Sequence, residues 1–357
     1  MKIEKIKDMG FFNRESETEQ IVDILKFNPR LITFVYGPIN SGKTTLIMDL
    51  IENLPPDYVV FYVNLRGKFI SDYSDFIESL FEINRESKKK RDTIQEFTKG
   101  VLAGAGKYYG IPIPENLLDV VFKDNEPKNV FEYITEVMKE IKRNKRQPIL
   151  IIDELQVIGD LKIDEYLIYK LFNFFIRLTK ELHLCHVFAL SSDSLFIEKV
   201  YSEAMLQERC EYLLVDEFDE QTTKKFLGKY NLGGEEQDVV WQYVGGKPTH
   251  LITAILAKIS GTEIEKTAKR LLKIRKGQVE EVLYSLKDED KEMFDEVIGI
   301  LRNFSGDDKM KYVHVSHGIR FLTKQNILFV DPVEKIIKPQ SKTDLIAIRG
   351  ILKEMKN

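Results

Sequence analysis

The sequence predicts an α/β fold in which helices cover both faces of a parallel β-sheet. Three observations support this prediction. Short apolar runs alternate with helical segments up to about residue 216, a glycine-rich loop joins the first strand to the next helix, and strand patterns disappear after about residue 217. Parallel strands that are buried on both faces read as continuous apolar runs, as these do. The chain therefore begins with a sheet domain and continues mainly as helix.

The first elements form a strand, loop, helix and strand unit. A helical pattern over 16–27 precedes a strand at 31–36, which is rich in β-branched and aromatic residues. The loop at 37–45 opens an amphipathic helix that ends before Pro55-Pro56, and a second strand follows at 59–65. This unit places a glycine-rich loop at the end of a buried strand.

The rest of the chain divides into an insertion, three more strands and two smaller domains. Residues 68–147 read as a mainly helical, charged insertion with a looser Gly/Pro stretch at 104–116. We predict a sheet domain over 1–216, a small helical domain over 217–283 and a winged helix-turn-helix domain over 284–357. The last prediction rests on a helix, a histidine-containing stretch, a strand-turn-strand pattern and a final helix. The further strands are expected at 149–154, 186–192 and 212–218.

Composition excludes several classes of protein. With 43% apolar and 11% aromatic residues among 357, the chain can bury a core, so it is not a largely disordered protein. No apolar run approaches the roughly 18 residues of a membrane-spanning helix, and the charged N-terminus lacks an export signal. The two cysteines, Cys185 and Cys210, form no CxxC pair. We expect a soluble, cytoplasmic protein without a disulfide framework or a cysteine zinc site.

The charge is distributed unevenly along the chain. The formal net charge is −4, but residues 309–357 carry ten Lys or Arg against four acids, which gives +6 there and leaves −10 elsewhere. A basic C-terminal segment can contact nucleic acid, or it can be a solvated face with no partner.

The loop at 37–44 has the complete pattern GxxxxGK[ST]. In such a loop, backbone N–H groups and a helix N-terminus hold phosphate oxygens, a lysine reaches the β- and γ-phosphates, and a hydroxyl binds Mg²⁺. Lys43 and Thr44 have those two roles here. A chance match in a surface turn is disfavoured by the flanking strand and helix. The predicted nucleotide-binding residues are Gly37, Pro38, Asn40, Ser41, Gly42, Lys43, Thr44 and Thr45.

Two adjacent acids follow a second buried strand. Asp153 comes directly after an Ile-Leu-Ile-Ile run, where a carboxylate can orient Mg²⁺, and Glu154 can polarise the attacking water. A kinase-like transfer to a bound acceptor does not need such a glutamate, whereas hydrolysis does. The pair therefore favours hydrolysis. The sequence also lacks the NKxD signature of guanine binding, because residues 144–147 match it except at the last position, and this favours ATP over GTP.

Two further polar positions have open roles. Ser192, with Ser191 and Asp193 on either side, follows the fourth strand, where it can either contact the γ-phosphate or form a helix-capping turn. Arg209 precedes the fifth strand and can either stabilise charge on the transferred phosphoryl group or pair with an acid for structural reasons.

These motifs resemble those of the archaeal STAND ATPases, signal-transduction ATPases with numerous domains, in the AAA+-like class that includes origin-recognition initiators. The resemblance spans the chain. Glu208-Arg209 departs from the Gly-Arg pair that is common in the family. Four motifs match. Phe11, Arg14, Glu15 and Glu17 match the family's N-terminal F-x-x-R-E-x-E, and the loop at 37–44 matches its phosphate loop. Residues 149–156 match its acidic strand motif, and Gly245, Gly246 and Pro248 match its GG-x-P motif.

The resemblance implies a P-loop NTPase with the sheet order 5-1-4-3-2, a helical lid and a C-terminal winged helix. It also implies that Pro248 lies near the adenine with His250 close by, and it brings Arg14 into the nucleotide site. Without the family, Gly-Gly-Lys-Pro is only a turn that interrupts a helix.

The predicted function is a slow, Mg²⁺-dependent ATPase that acts as a nucleotide switch, in which ATP closes the lid and hydrolysis releases it. The predicted catalytic residues are Lys43, Asp153, Glu154 and Arg209, with Thr44 and Asp153 as metal ligands. An alternative is a DNA-binding ATPase whose winged helix contacts duplex DNA, and a protein partner at the same module is equally open. A structural protein with an inactive site is disfavoured because the hydrolytic residues are present. Self-assembly that brings Arg209 to a neighbouring chain is a further alternative.

Overall fold

A computed structural model describes residues 11–71, 73–84, 106–121, 127–158 and 167–355. Within these ranges, no helix has the length and the apolar character that crossing a membrane requires. In chain order, the elements of the sheet region are α1 Glu15–Leu25, β1 Ile32–Tyr36, α2 Lys43–Asn53, β2 Tyr58–Asn64, α3 Tyr73–Ser79, β3 Phe81–Asn84, β4 Lys107–Tyr108, β5 Ile111–Pro114, α4 Leu118–Val121, α5 Pro127–Arg143, β6 Gln147–Asp153, α6 Leu167–Ile176, β7 His186–Ser191, α7 Ser194–Ser202 and β8 Cys210–Leu214.

The main sheet has the order β4-β2-β6-β7-β1-β8, and all of its strand pairs are parallel. The five longer strands are therefore in the predicted order 5-1-4-3-2, and β4 adds a short edge strand beside β2. Successive side chains of β1 point to opposite faces: Phe34 lies in one apolar core and Val35 in the other. Both faces are covered, so all of β1 is buried.

The insertion differs from the prediction of a mainly helical segment with a loose Gly/Pro stretch. Its described part contains β4, and β3 pairs in parallel with β5 in a separate sheet. The sequence of β5 alternates Ile and Pro, and both isoleucines are fully buried. Proline is tolerated because β5 pairs on one side only, so it does not have to donate hydrogen bonds on both sides. The charged run at 86–91 and Gly104 lie outside the described residues.

A helical region with its own apolar core follows the sheet. A long helix, α11 (Ile264–Glu289), links its first helices to the C-terminal module. The sequence suggested a domain boundary at residue 283, but α11 continues through that position without a break. The second half of α11 packs in the C-terminal core through Val279, Leu283 and Leu286. The elements are α8 Glu220–Lys229, α9 Gly234–Val244, α10 Pro248–Ile259, α11 Ile264–Glu289, α12 Lys291–Arg302, β9 Met310–Lys311, α13 His317–Lys324, β10 Leu328–Asp331, β11 Ile336–Pro339 and α14 Lys342–Glu354.

The C-terminal module contains the elements that its sequence pattern predicts. The helix α12, the histidine-containing stretch with β9 and α13, the β10–β11 hairpin and the final helix α14 follow in that order. The strands form an antiparallel sheet in the order β10-β11-β9. This hairpin lies against the sheet domain, beside the glycine-rich loop.

Candidate functional site

The loop between β1 and α2 has the backbone geometry of an anion cradle. Gly37 lies so close to the segment after β8 that a Cβ would be 2.1 Å from the carbonyl oxygen of Val215. Asn40 and Gly42 have left-handed backbone conformations, with φ of 62° and 98°. Gly42 precedes the first residue of α2, so the loop ends at a helix N-terminus, where backbone N–H groups and the helix dipole favour an anion.

Side chains around the loop are mostly occupied or enclosed. Ser41 is fully buried, and its hydroxyl has no hydrogen-bond partner among the described residues. Thr45 is exposed in the first turn of α2, and Pro38 is buried. The loop therefore offers its backbone, rather than a row of free side chains, to a ligand.

The side chain of Lys43 is buried within the loop, and its ammonium group contacts backbone carbonyl oxygens. Only 5% of the residue is exposed, and its Nζ donates hydrogen bonds to the carbonyl oxygens of Gly37 at 3.0 Å and Pro38 at 2.9 Å. Burial lowers the pKa of Lys43 to about 8, and the nearby carboxylates of Asp153 and Glu154 act in the opposite direction. The lysine is thus already positioned where loop and acids meet.

Thr44 and Asp153 meet at the carboxyl ends of the strands. The Thr44 hydroxyl donates to Oδ2 of Asp153 at 2.8 Å, and the Tyr62 hydroxyl donates to the same oxygen at 2.8 Å. Burial beside Asp153 raises the pKa of Tyr62 above its ordinary value, so this hydroxyl keeps its proton and donates. A hydroxyl and a carboxylate are hard oxygen donors, and Mg²⁺ commonly uses one or two such protein ligands together with substrate phosphates. The donor set therefore fits Mg²⁺.

Glu154 lies beside this pair, and its carboxylate is engaged. The residue is 8% exposed and has a left-handed backbone with φ of 61°. Its carboxylate forms an ion pair with Arg66 and accepts a hydrogen bond from Nε2 of Gln156 at 2.5 Å. Sequence reasoning missed Arg66, although an arginine two residues after β2 is at the same edge of the sheet as the acids. In this state, the carboxylate is held by its neighbours.

A cavity of about 500 Å³ opens next to Glu154. Ser192, which follows β7, lies on its wall. Ser191 instead binds Oε1 of Gln156 at 2.9 Å, and Asp193 caps α7. The opposite wall comes from the C-terminal module, with Thr323, Lys324, Asn326 and Gln340.

The C-terminal hairpin also contacts the loop directly. Oε1 of Gln340 accepts a hydrogen bond from the backbone N–H of Ile39 at 3.3 Å, and Tyr36 at the end of β1 donates to Asp331 at 2.9 Å. Lys338 forms an ion pair with Asp216 just after β8. These contacts join residues 122 to 301 positions apart, so no local sequence pattern predicts them.

Arg14 ties the N-terminal segment to the loop. Its Nη2 donates to the carbonyl oxygen of Ser41 at 2.8 Å and to that of Asp216 at 2.5 Å, while Nη1 pairs with Glu17 at 2.6 Å. Its guanidinium carbon lies 4.6 Å from the ring centre of Phe218. Arg14 therefore lies next to the loop and also fixes the segment that enters the helical region.

Arg209 lies at the other end of the sheet from this site within one chain; the prediction left open whether it acts in its own chain, on a neighbouring chain or only structurally. Its backbone carbonyl accepts from Ile32 at the start of β1, and Nη1 donates to the carbonyl of Met205 at 2.6 Å. The loop leaves β1 at the opposite end, after Tyr36. Five residues of strand span roughly 16 Å. A residue that precedes a parallel strand lies at the amino end of the sheet, away from the loop.

The Gly-Gly-Lys-Pro turn packs against the segment that leaves the sheet. A Cβ on Gly246 would lie 1.8 Å from the carbonyl oxygen of Phe218, and the carbonyl of Gly246 accepts from the Phe218 N–H at 3.1 Å. Pro248 opens α10. The ring of His250 makes a 3.1 Å hydrogen bond with the Thr343 hydroxyl, and burial lowers its pKa to about 4. His250 thus joins the helical region to α14.

Glu217 lies at the junction of the three parts of the chain. It accepts from the Lys342 N–H at 3.4 Å, whereas its other oxygen is buried without a hydrogen-bond partner among the described residues. Burial raises its pKa to about 8, Asp216 adds to the rise, and the charges of Lys247 and Lys338 oppose it. At neutral pH, the side chain therefore retains its proton for much of the time.

We expect Glu217→Gln to stabilise the protein more at pH 8.5 than at pH 5. A carboxyl with a raised folded-state pKa binds its proton more tightly in the folded protein, so stability falls as pH rises from about 4.5 to 8 and the loss is complete above 8. Glutamine removes this loss, which the rise in pKa puts at up to about 5 kcal/mol at pH 8.5. Denaturant titrations at both pH values measure it, with exposed Glu235→Gln as the control. Equal effects of Glu217→Gln at the two pH values would contradict the expectation.

Comparison with known families covers almost the whole described chain. Residues 11–254 match a family described as an ATPase domain predominantly from Archaea. Residues 265–352 match the C-terminal domain of a family described as MJ1010-like uncharacterized ATP-binding proteins.

Curated relatives are similar over their full lengths. The uncharacterized ATP-binding protein MJ1659 of Methanocaldococcus jannaschii is 52% identical, over 98% of this chain and 99% of its own. The uncharacterized ATP-binding protein PYRAB09480 of Pyrococcus abyssi is 47% identical, over 96% of this chain and 98% of its own.

Two solved structures share the fold. The Walker-type ATPase paby2304 of Pyrococcus abyssi aligns with a TM-score of 0.65 at 16% identity, over 95% of this chain and 96% of that one. The ORC2 protein of Aeropyrum pernix aligns with a TM-score of 0.51 at 11% identity, over 99% and 98%. At such identities, these matches show the fold alone.

Proposed function

The chain belongs to the ATPase family that is found predominantly in Archaea, and from this premise we propose that it is a STAND-type nucleotide switch that binds and slowly hydrolyses Mg-ATP. One observation carries the proposal. The phosphate loop with Lys43, the oxygen pair Thr44–Asp153 and the carboxylate of Glu154 converge at one edge of the sheet. This combination serves phosphate binding, metal binding and water activation together.

Names of related proteins support ATP as the nucleotide. The curated relatives are called ATP-binding proteins, and the ORC2 protein of Aeropyrum pernix was solved in complexes with ADPNP and ADP. Those statements describe the other proteins. They agree with the phosphate loop and the missing guanine signature in this chain.

In the proposed reaction, the loop amides and Lys43 hold the β- and γ-phosphates, and Thr44 and Asp153 hold Mg²⁺. When bound, Mg²⁺ neutralises charge that develops on the phosphate oxygens. Glu154 orients the attacking water and accepts its proton. Because Arg66 and Gln156 occupy that carboxylate here, Glu154 must first release Arg66, which is consistent with slow turnover.

The switch is proposed from the contacts that surround the loop. The helical region reaches it through Phe218 and Arg14, and the C-terminal hairpin reaches it through Gln340. A nucleotide that changes the position of Ile39 or Ser41 therefore changes contacts to both. ATP and ADP shift the arrangement only if they bind the alternative states with different affinities.

Calorimetry tests the function directly. We expect Mg-ATP to bind the purified full chain, binding to weaken when EDTA removes Mg²⁺, and phosphate to be released at a low rate. Small-angle scattering with ATP, ADP and no nucleotide measures the change in shape. If calorimetry detected no binding heat with millimolar Mg-ATP, the proposed function would be refuted. If the scattering curves were identical in all three states, the proposed nucleotide-dependent conformational switch would be refuted.

The alternative of duplex DNA binding depends on the basic C-terminal segment. Four of its ten basic side chains make ion pairs or cation–π contacts with other described residues of the chain. Lys338 pairs with Asp216, and Arg349 pairs with Asp308. The ammonium of Lys335 lies over the rings of Tyr201 and Tyr312, and that of Lys342 lies over the ring of Trp241. The structure therefore offers fewer free cations there than the sequence suggests. Binding to random-sequence duplex that weakens steeply with salt would favour the DNA function; no binding at low salt would favour a protein partner.

Self-assembly is the remaining way to give Arg209 a catalytic role. Since Arg209 lies at the amino end of β8, it can only act on the nucleotide of another chain. Solution mass with and without a non-hydrolysable ATP analogue tests this, and a monomer in both conditions would exclude it.

A further inference from the structure

A cavity of about 340 Å³ lies at the amino end of the main sheet, opposite the phosphate loop. Its lining comes from the C-terminal end of α1, from the turn before β1, and from the first residues of β7 and β8, the two neighbours of β1. The phosphate loop follows the other end of β1, and a strand of five residues spans roughly 16 Å. The cavity is therefore separate from the nucleotide site.

His186 is a buried polar residue on the wall of this cavity. It is the first residue of β7, and 3% of its surface is exposed. Its Nε2 atom is buried and has no hydrogen-bond partner among the described residues. Buried polar atoms are nearly always hydrogen-bonded, because an unpaired one has given up its bonds to water without replacement. A molecule in the cavity can supply the missing partner.

The imidazole of His186 is uncharged at neutral pH. Burial lowers its pKa to about 4, and the charge of Lys142 acts in the same direction, whereas a hydrogen bond to the backbone of Phe27 opposes them. A neutral imidazole has one N–H and one acceptor nitrogen. The bond to Phe27 uses the N–H, because a backbone carbonyl only accepts, so Nε2 is the acceptor. The complementary group on a ligand is an N–H or O–H donor.

Apolar side chains form another part of the wall. Ile24, Phe27 and Leu31 line the cavity, and Phe27 is 66% exposed. A ligand that covers this ring removes apolar surface from water, which favours binding. Sites for small molecules are typically clefts of about 300–1,000 Å³ with apolar walls and a few polar groups that fix the orientation of the ligand. The cavity has the size and the lining of such a site.

The charged residues of the lining disfavour an anion. Two carboxylates, those of Asp23 and Glu211, and one guanidinium, that of Arg30, line the cavity. Oε1 of Glu211 accepts a hydrogen bond from the Thr33 hydroxyl at 2.7 Å, and Asp23 pairs with Lys26 at 2.7 Å. Neither carboxylate forms an ion pair with Arg30 among the described residues. The lining thus has more negative than positive charge, unlike the phosphate loop.

We propose that this cavity binds a small uncharged or cationic molecule made of an apolar ring and an N–H donor, with the donor bonded to Nε2 of His186 and the ring against Phe27. The site is a second ligand site, separate from the one that holds the nucleotide. It does not depend on the proposed nucleotide function, because none of its lining residues belongs to the phosphate loop or to the acidic pair.

Indole and 1-methylindole test the proposal because they have nearly the same shape and differ in the N–H donor. We expect indole to bind the purified full chain about 10-fold more tightly, since 1-methylindole leaves the buried acceptor unpaired. Indole-3-acetate keeps the N–H but adds a carboxylate, which Asp23 and Glu211 repel, so it should bind more weakly than indole. Ligand-detected NMR titrations without nucleotide measure all three affinities. Equal affinities for indole and 1-methylindole, or no binding of indole up to its solubility limit, would overturn the proposal.

His186→Phe shows whether the preference for indole comes from this side chain. Phenylalanine keeps an aromatic ring and removes the acceptor, so the variant should bind indole and 1-methylindole with similar affinities. The control is His314→Phe, at an exposed position in the C-terminal module, which should retain the wild-type preference. A preference for indole that persisted in His186→Phe would contradict the proposal. Because these titrations contain no nucleotide, such a result would leave the proposed ATPase function standing.

A measurement on the wild-type chain covers the case in which His186→Phe does not fold. The chain has five histidines, so ¹⁵N-histidine labelling gives few imidazole signals, and the chemical shift of an acceptor nitrogen changes when it receives a hydrogen bond. We expect indole, but not 1-methylindole, to shift the Nε2 signal of His186, while the signals of exposed His314 stay unchanged. An Nε2 signal of His186 that indole left unchanged would overturn the proposal, as expected if only water filled the cavity.

Discussion

Lys43→Ala should abolish measurable binding of Mg-ATP, with a loss of at least about 100-fold in affinity. The ammonium group lies at the centre of the loop, bonded to the carbonyls of Gly37 and Pro38 and flanked by Asp153 and Glu154. It is therefore already positioned for the β- and γ-phosphates, and alanine leaves their charge without a cation. Calorimetry up to millimolar nucleotide measures the loss.

The same variant should fold at least as well as the wild type. Burial lowers the pKa of Lys43 to about 8, which means that its charged form is less stable in the folded protein than in water. Removing the charge removes this cost. The control is Lys26→Ala, an exposed lysine at the C-terminal cap of α1 that pairs with Asp23 three residues earlier. Wild-type affinity in Lys43→Ala would show that the loop does not bind nucleotide in the proposed way.

Glu154→Gln should bind Mg-ATP with nearly wild-type affinity and lose about 10²- to 10⁴-fold in turnover. Glutamine has the size of glutamate and retains an oxygen that can accept from Arg66 and Gln156, so the site should remain assembled. It cannot take a proton from water. Phosphate release at saturating Mg-ATP, with affinity measured in parallel, separates the two effects.

Asp153→Asn is the comparison that distinguishes metal binding from water activation. One carboxylate oxygen of Asp153 accepts hydrogen bonds from both Thr44 and Tyr62. Replacing this carboxylate by an amide should therefore weaken the Mg²⁺ dependence of nucleotide binding as well as turnover. Exposed Glu181→Gln should change neither quantity. If Glu154→Gln released phosphate at the wild-type rate, Glu154 would not be the general base.

The Lys43 and Glu154 variants address different parts of one process. Lys43 tests whether the phosphates are held, and Glu154 tests whether the bond is cleaved.

The sheet domain was predictable because its signals are local. Continuous apolar runs indicate the buried strands, and the loop at 37–44 shows that the phosphate site lies at the end of the strand directly before it. The order of the five longer strands followed from the family resemblance, and the structure confirms it. The small sheet of β3 and β5 was missed because the proline-rich pattern of β5 resembles a loop, and its pairing depends on a distant partner.

The sequence by itself determined the phosphate loop, the paired acids and the helix that carries Lys43, because each depends on residues that are adjacent along the chain. Only the tertiary structure decided that His250 is bonded to Thr343 and that Gln340 meets Ile39. These outcomes depend on how separate elements pack, and packing brings together groups that are 93 and 301 residues apart along the chain.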